Sequence, residues 1–226
     1  MQIHPRHSWN LPISEAIQLQ RELAKEIDTR RPLAKWDLIA GADISYNRFD
    51  PTFYASVIVY RVADGAIIET QDETDLAAFP YVPGLLSFRE APALLKAFAK
   101  LETRPDAIMI DGQGIAHPRR LGIASHIGLW LQMPCIGCAK SRLTGKMKEP
   151  DLKAGSIAPL MDHGEQIGAI VRTKTKVKPV FVSPGHLIDL TSSVRVVLET
   201  TRGYRIPEPT RLAHLRVNEL RRQASC

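Results

Sequence analysis

Three acidic residues occupy positions from which a carboxylate could do chemistry. Asp43 lies inside a short apolar run, Glu90 follows a stretch rich in proline and glycine, and Asp111 ends a second apolar run. A buried carboxylate is costly unless it is paired, so Asp43 needs a partner or a metal ion. A carboxylate at the exposed end of a buried strand, followed by a glycine-rich loop, is typical of α/β active sites.

Each acid also has a structural explanation, which the sequence leaves open. Asp43 could be an ion-paired or hydrogen-bonded core residue. Ser87 and Glu90 have capping-box spacing, in which the glutamate would hydrogen-bond to the backbone of Ser87. Asp111 and Gly112 form a common turn dipeptide.

The elements that must position these acids can be predicted from apolar periodicity and from breaker residues. In chain order they are a helix capped by Ser14 and stopped by Pro32, strands at 38–45, 53–62 and 66–70, a helix at 87–101, a strand at 107–110, a helix at 121–131, a strand at 134–138, a strand hairpin at 165–173 and 178–182, a helix that starts at 183–186 and ends near Thr200, and a last helix at 210–222. The acidic stretch at 69–75 is expected to be a solvated strand end. A three-strand antiparallel meander followed by helix–strand alternation predicts one α/β domain over residues 1–226, with a mixed sheet flanked by helices.

Composition limits the class of protein. A net charge of +6 over 226 residues favours an anionic partner. Three cysteines argue against a disulfide framework, and no run approaches the roughly 20 apolar residues of a membrane span. We expect a cytoplasmic protein that does not contact a membrane.

The order of the acids is that of the ribonuclease H-like nucleases: one in the first strand, one opening the helix after the meander, one ending the fourth strand. Four sequence blocks make the resemblance closer. They are GADISY at 41–46, PYVPGLLSFRE at 80–90, DGQGIAHPR at 111–119 and GCAK at 137–140. In this order the blocks resemble the endonuclease V family, also called deoxyinosine 3′-endonuclease, over most of the chain.

The resemblance implies a ribonuclease H-like fold and a set of catalytic residues. Asp43, Glu90 and Asp111 match the metal-binding acids, and hard oxygen ligands of this kind select Mg²⁺, with Mn²⁺ as a substitute. His117 and Lys140 match positions associated with the scissile phosphate, and His214 matches a residue that closes the site. Alternatives stay open for each residue: His117 could be a general acid or cap its loop, Lys140 could be a solvated lysine, and His214 could be a core-edge histidine.

The resemblance also assigns a wedge and a lesion pocket. Tyr81, held by Pro80, Val82 and Pro83, matches the wedge that fills the gap left by a flipped base; its alternative is a tyrosine packed under a surface loop. Gly84, Leu86 and Gly112 match the loops that hold the extruded hypoxanthine, largely through backbone groups.

Three residues are predicted to bind phosphate: Arg119, Lys140 and Gly185. Gly185 is included because the sequence at 183–185 predicts a helix start, and the free N–H groups of a helix start attract anions. Basic residues also alternate along a predicted strand and would share one face, namely Arg172, Lys174, Lys176 and Lys178.

Cys135 and Cys138 form a C-x-x-C pair. A second Cys/His pair at zinc spacing is lacking, so buried structural cysteines are expected rather than a zinc or redox site.

The function implied by the resemblance is Mg²⁺-dependent hydrolysis of the second phosphodiester 3′ to deoxyinosine in DNA, leaving 3′-hydroxyl and 5′-phosphate ends. Two alternatives remain: an endoribonuclease specific for inosine in RNA, and a non-catalytic nucleic-acid-binding module. A monomer is expected.

Overall fold

The computed structural model of the protein describes residues 1–47 and 50–224. Its five α-helices are α1 (Ile13–Leu23), α2 (Leu86–Ala99), α3 (Ile123–Leu131), α4 (Leu190–Glu199) and α5 (Glu208–Gln223), and one 3-10 turn (Ala24–Glu26) follows α1. Its nine strands are β1 (Leu38–Tyr46), β2 (Thr52–Arg61), β3 (Ile67–Leu76), β4 (Ala107–Ile110), β5 (Cys135–Ala139), β6 (Lys146–Met147), β7 (Ile157–Asp162), β8 (Glu165–Val171) and β9 (Val180–His186).

All nine strands form one mixed sheet in the order β3-β2-β1-β4-β5-β9-β8-β7-β6. The meander β1-β2-β3 is antiparallel, as predicted, and β4 and β5 then join parallel to β1. The remaining strands continue the sheet in antiparallel fashion. The predicted α/β fold with a ribonuclease H-like mixed sheet is confirmed, while the single domain stays a prediction.

The core lies on both faces of the sheet because successive strand residues point to opposite sides. Ala40 of β1 packs in a cluster with α2 and α3, whereas its neighbour Ile39 packs in another cluster with α4. Helix α5 packs against β1 and β2. The central strands are therefore covered on both faces, which accounts for their almost uninterrupted apolar sequences.

The first helix and the third strand differ from the prediction. Helix α1 begins after Pro12, so Ser14 lies inside its first turn and is not the cap, and the helix ends at Leu23, well before Pro32. Strand β3 continues through the acidic stretch to Leu76. Cations from the neighbouring helices pair with these acids: Asp72 with Arg216, Glu73 with Lys100 and Asp75 with Lys96.

The predicted helix start at 183–186 is wrong. These residues belong to β9, and α4 begins only after Asp189, whose side chain accepts a hydrogen bond from the Ser192 N–H (2.6 Å). Pro184 is tolerated in the strand because the pairing register with β5 shifts beside it. Its carbonyl accepts a hydrogen bond from the Ile115 N–H (2.9 Å), so the loop after β4 supplies a partner that local sequence cannot show.

The predicted basic strand face is also wrong, since β8 ends at Val171 and the lysines follow in a loop. Arg172 is buried and donates hydrogen bonds to the carbonyls of Asp151 (3.0 Å), Val177 (2.6 Å) and Pro150 (2.8 Å). Its guanidinium therefore joins the backbone at 150–151 to the backbone at 177. The short strands β6 and β7 were not predicted.

No helix among the described residues is long and apolar enough to cross a membrane.

Gly41 sets how closely α5 approaches the sheet. A Cβ at Gly41 would lie 2.0 Å from the backbone carbonyl of Pro209, at the start of α5. Gly41 and Asp43 point to the same face of β1, so this close approach also brings the rest of α5 over Asp43.

We expect Gly41→Ala to lower the free energy of unfolding by about 2 kcal/mol or more, because the backbone of α5 must move. Urea denaturation measures the change. Gly203→Ala is the control, since its Cβ would meet no atom within 4 Å and only its φ of +77° is unfavourable, at about 1 kcal/mol. Equal losses in the two variants would contradict the role of Gly41.

Candidate active site

Asp43 and Asp111 lie side by side because β1 and β4 are parallel neighbours. Ala42 pairs with Ile110, and the Asp111 N–H donates a hydrogen bond to the Ala42 carbonyl (3.2 Å). Both side chains are largely buried, with exposed fractions of 10% and 13%. Burial and the charge of Asp43 raise the pKa of Asp111. Two buried carboxylates on neighbouring strands repel each other unless positive charge is supplied.

Helix α5 brings an imidazole to the acids. His214 Nδ1 donates a hydrogen bond to Asp43 Oδ2 (2.7 Å). Asn218, one turn further along α5, lies 3.2 Å from His214 Nε2 through its Nδ2. The Asn218 amide is oriented by Ser45, whose hydroxyl donates to Asn218 Oδ1 (3.2 Å). The side chain of His214 is 45% exposed and contacts Asp43 and Asn218, and its role in closing the site stays a prediction.

Lys140 follows β5 and forms an ion pair with Asp111. Its Nζ also lies 3.4 Å from His214 Nδ1. The solvated-lysine alternative therefore does not describe Lys140, which supplies the fixed positive charge beside the acids.

One ligand atom from each of Asp43, Asp111 and His214 lies within 4.8 Å of the other two. Two carboxylates and an imidazole are donors that a divalent cation accepts, and the carboxylate oxygens suit a hard ion. A cation bound between the acids would relieve their mutual repulsion, which favours its binding. The donor set therefore fits a metal site.

Glu90 faces the same cleft from α2, although it is outside the group of three. Burial first, and then the charges of Asp43 and Asp111, raise the pKa of Glu90 to about 8. The capping-box alternative is wrong, because α2 begins after Leu85 with no side-chain cap. The Ser87 hydroxyl is instead hydrogen-bonded to His126 Nδ1 (3.0 Å).

Beside the acids lies a cavity of about 160 Å³. Cavities of about 150 Å³ can hold a benzene-sized ring, so this one admits a single flat aromatic group. It shares two elements with the acids, since Ser87 precedes Glu90 on α2 and Gln113 follows Asp111 in the loop after β4. Six of its lining residues are Gln20, Tyr81, Gly84, Leu86, Ser87 and Gln113.

Residues 80–84, which we call the wedge loop, form one wall of the cavity through Tyr81, Val82, Pro83 and Gly84. Tyr81 is 65% exposed, so the alternative of a tyrosine packed under a surface loop is wrong. Pro80 and Pro83 flank it and are exposed, and Val82 is half-buried. Gly84 has a φ of +79°, in the left-handed region that favours glycine, and a Cβ there would lie 2.6 Å from Arg119 Nη2, which would have to shift.

The Gly84 carbonyl oxygen accepts three hydrogen bonds. The donors are Gln20 Nε2 (3.1 Å), His117 Nε2 (3.1 Å) and Arg119 Nη2 (2.7 Å). Arg119 Nε also donates to Gln20 Oε1, so its guanidinium is turned towards the wedge loop. In this structure Arg119 therefore holds the cavity wall, and its predicted phosphate contact stays a prediction.

His117 is buried in the wall of the cavity. Its Nδ1 accepts a hydrogen bond from the Arg119 N–H (3.1 Å) while its Nε2 donates to Gly84. Burial, helped by the charge of Arg119, lowers the pKa of His117 to about 4. These contacts match the loop-capping alternative, and a role at the phosphate stays a prediction.

Two predicted site residues lie elsewhere. Gly185 is buried in β9, where a Cβ would lie 2.6 Å from the Cys135 carbonyl oxygen. It is therefore not at a helix start, and the reason for expecting phosphate there is lost. Gly112 lies behind the cavity wall, because a Cβ there would lie 2.5 Å from Ile123 Cγ2, and Ile123 lines the cavity.

Cys135 and Cys138 are buried free thiols in β5, and burial raises the pKa of both. The prediction of structural cysteines is in keeping with this environment.

Three residues of the site were given no role by sequence reasoning: Gln20, Gln113 and Asn218. The sequence did carry a signal for Gln20, because this polar residue lies at helical spacing between Ala16 and Leu23 on the buried face of α1. Gln113 lies inside a recognised block, and Asn218 carries no comparable signal.

We expect Glu90→Gln to stabilise the metal-free protein above pH 8. The raised pKa means that the folded state binds a proton the unfolded state has released, so stability falls as the pH rises from about 4.5 to about 8. The variant should lose this fall and gain on the order of a few kcal/mol at pH 9. Urea denaturation in EDTA at pH 6 and pH 9 measures it, with Glu102→Gln as the control. An unchanged pH dependence in Glu90→Gln would contradict the placement of Glu90.

Comparisons with known proteins agree on one family. The family model of endonuclease V matches residues 21–215. An endonuclease V of Methanothrix thermoacetophila is 44% identical over 215 residues, which cover 95% of either chain. The crystal structure of endonuclease V from Streptomyces avermitilis superposes with a TM-score of 0.92 at 35% identity and covers 100% of both chains.

A structure of endonuclease V from Ciona intestinalis superposes with a TM-score of 0.80 at 25% identity and covers 94% of this chain and 98% of that one. That protein is in complex with a 23mer DNA containing an inosine followed by a ribo-adenosine. On the family model and the identity over nearly the whole chain, the protein belongs to the endonuclease V family and is a metal-dependent nuclease that acts on DNA.

Proposed function

We propose that this protein is a DNA repair endonuclease that recognises deoxyinosine and hydrolyses the second phosphodiester 3′ to it, with Mg²⁺ as the metal and Mn²⁺ as a substitute, leaving 3′-hydroxyl and 5′-phosphate ends. One observation carries the proposal. Two carboxylates, Asp43 and Asp111, with His214 hydrogen-bonded to Asp43, form a group that could hold a metal ion. The loop that carries Asp111 also lines a cavity that admits one flat aromatic ring, next to the exposed Tyr81. The inosine-containing DNA bound by the Ciona intestinalis relative supports the choice of lesion.

The residues of the chain divide the chemistry between them. Asp43, Asp111 and Glu90 would hold the cation, which, when bound, neutralises phosphate charge and lowers the pKa of water. Lys140 is placed to stabilise the negative charge that develops on the phosphate, because it already lies against Asp111. His214 orients Asp43 by donating to its Oδ2.

Extrusion of the base requires a rigid group that replaces lost stacking. Tyr81 offers an exposed ring on a loop whose backbone is restricted by proline on both sides. The base would then enter the cavity behind the ring. Its Watson–Crick edge would be read there by the wedge loop and by the loop after β4.

A ribonucleotide in the substrate is favoured by one observation, the ribo-adenosine that follows inosine in the Ciona intestinalis complex. Inosine in RNA is therefore the second candidate substrate. Cutting a deoxyinosine-containing DNA strand and its inosine-containing RNA counterpart side by side distinguishes the two.

The central test is cleavage of a labelled duplex that carries one deoxyinosine, with Mg²⁺ or with EDTA. We expect a single nick in Mg²⁺, located by a sequencing ladder at the second phosphodiester 3′ to the lesion, and no nick in EDTA. Cutting in EDTA, or equal cutting of an undamaged duplex, would refute the proposal.

We expect Asp111→Asn to keep binding the lesion while cleavage falls on the order of 10²–10³-fold, because the metal site loses a charge but the cavity is untouched. Gel-shift and single-turnover assays separate the two effects. Asp151→Asn, at an exposed aspartate, is the matched control. Cleavage by Asp111→Asn at the parent rate would contradict the role of this acid.

We expect Tyr81→Ala to weaken binding to deoxyinosine DNA about 10-fold, since stacking on an aromatic side chain contributes about 1–3 kcal/mol per base. Fluorescence anisotropy measures the affinity. Tyr204→Ala removes a comparably exposed tyrosine outside the cavity and should leave it unchanged. Equal effects of the two substitutions would count against a wedge.

A further inference from the structure

Arg205 lies half-buried in the loop between α4 and α5, and its guanidinium is directed at backbone carbonyls. Its Nη2 donates hydrogen bonds to the carbonyls of Lys140 (2.5 Å) and Pro179 (2.9 Å), and its Nε donates to the Lys178 carbonyl (2.9 Å). Carbonyl oxygens that face one point create a negative potential, and the rigid fork of a guanidinium suits such a cluster of acceptors. Arg205 therefore joins three backbone positions at once.

The end of the pairing between β5 and β9 explains why a side-chain donor is needed there. The ladder between these strands ends at the pair Ala139 and Phe181. The residue before β9 is Pro179, which has no N–H, so the ladder cannot continue through it. Lys140, the first residue after β5, therefore lies beyond the regular strand pairing. Its carbonyl accepts a hydrogen bond from Arg205 instead.

The backbone of Lys140 determines where its ammonium group can lie. The side chain is a flexible four-carbon stem that is held at its two ends: Nζ contacts Asp111 and His214, and the backbone is bound by Arg205. Groups that act on a reacting centre must be held within about 0.5 Å, and a displacement of about 1 Å can lower the rate on the order of 10²-fold. A shift of the chain at Lys140 would therefore change the position of Nζ relative to the acids.

Arg205 is itself fixed in place. The hydroxyl of Thr173, a buried residue, donates a hydrogen bond to the Arg205 carbonyl (2.5 Å). Helix α5, which carries His214, begins three residues after Arg205. One guanidinium therefore connects the end of β5, next to Lys140, with the segment that leads into α5. These are the two elements whose side chains meet beside the acids.

We propose that Arg205 is a positioning residue for cleavage: it anchors the backbone of Lys140 so that Nζ stays against Asp111, beside the phosphate to be cut. The inference rests on the proposed function, in which Lys140 stabilises the charge on that phosphate. The cavity lining formed by the described residues does not include Arg205. Loss of Arg205 should therefore slow the chemical step, while the affinity for the lesion stays the same.

The test is a double-mutant cycle on cleavage of a duplex that carries one deoxyinosine, measured under single-turnover conditions in Mg²⁺. Arg205→Met keeps a long side chain but removes its charge and its donors, and Lys140→Met removes the ammonium group. We expect Arg205→Met to lower the rate about 10- to 100-fold, with a Kd within about threefold of the parent value. In the Lys140→Met protein the same substitution should lower the rate less than about threefold, because no ammonium group is left to position.

Arg202→Met is the matched control, because Arg202 is an exposed arginine of the same loop and its Nη2 donates to the Val62 carbonyl (2.7 Å). It should leave the rate unchanged with and without Lys140. Circular dichroism checks the fold. If Arg205→Met does not fold, Arg205→Lys replaces it. An ammonium group cannot reproduce the fork, so the same dependence on Lys140 is expected with a smaller loss of about 3- to 10-fold.

An unchanged rate in Arg205→Met, or equal falls with and without Lys140, would overturn the proposal, since a purely structural residue affects both proteins alike. A Kd raised about 10-fold or more, with a salt dependence reduced by about one phosphate contact, would also overturn it, because Arg205 would then bind DNA itself. A parent protein that does not cut deoxyinosine DNA refutes the proposed function instead.

Discussion

The parallel pairing of β1 and β4 is the constraint on which the rest of the structure depends. It places Asp43 and Asp111 side by side in a largely buried position, where two like charges are unfavourable. The surroundings reduce this cost with Lys140 against Asp111 and His214 against Asp43. A bound metal ion would complete the compensation, so the same repulsion that destabilises the metal-free cleft would favour metal binding.

Close packing of α5 against the sheet places His214 next to Asp43. Helix α5 can carry His214 to Asp43 because Gly41, two residues earlier on the same face of β1, leaves room for the start of the helix. The site is therefore built from a strand pair and a helix that are far apart in sequence. Few residues contribute directly, but their positions depend on the packing of the central sheet.

The cavity and the acids are connected by covalent structure. The start of α2 supplies Ser87 to the cavity and Glu90 to the acids, and the loop after β4 supplies Gln113 and Asp111 in the same way. Under the proposed function, a base held in the cavity would fix the position of its own strand relative to Asp43, Glu90 and Asp111. Under that function, this arrangement would link recognition of a base to hydrolysis of a nearby phosphodiester.

The sequence by itself determined the strand meander, the three acids and the exposed wedge loop, because apolar alternation, buried charge and proline are local signals. It also carried the family resemblance. Tertiary structure decided the features that depend on hydrogen bonds between residues distant in the chain. Residues 183–186 form a strand because they pair with β5, and Gly114 and Ile115 donate hydrogen bonds to the Ser183 hydroxyl and the Pro184 carbonyl. His117 caps a loop because Gly84 accepts its proton, and Gln113 keeps an unused oxygen because Ser141 takes the other end of its amide. Such partners are distant in the chain, so no local pattern specifies them.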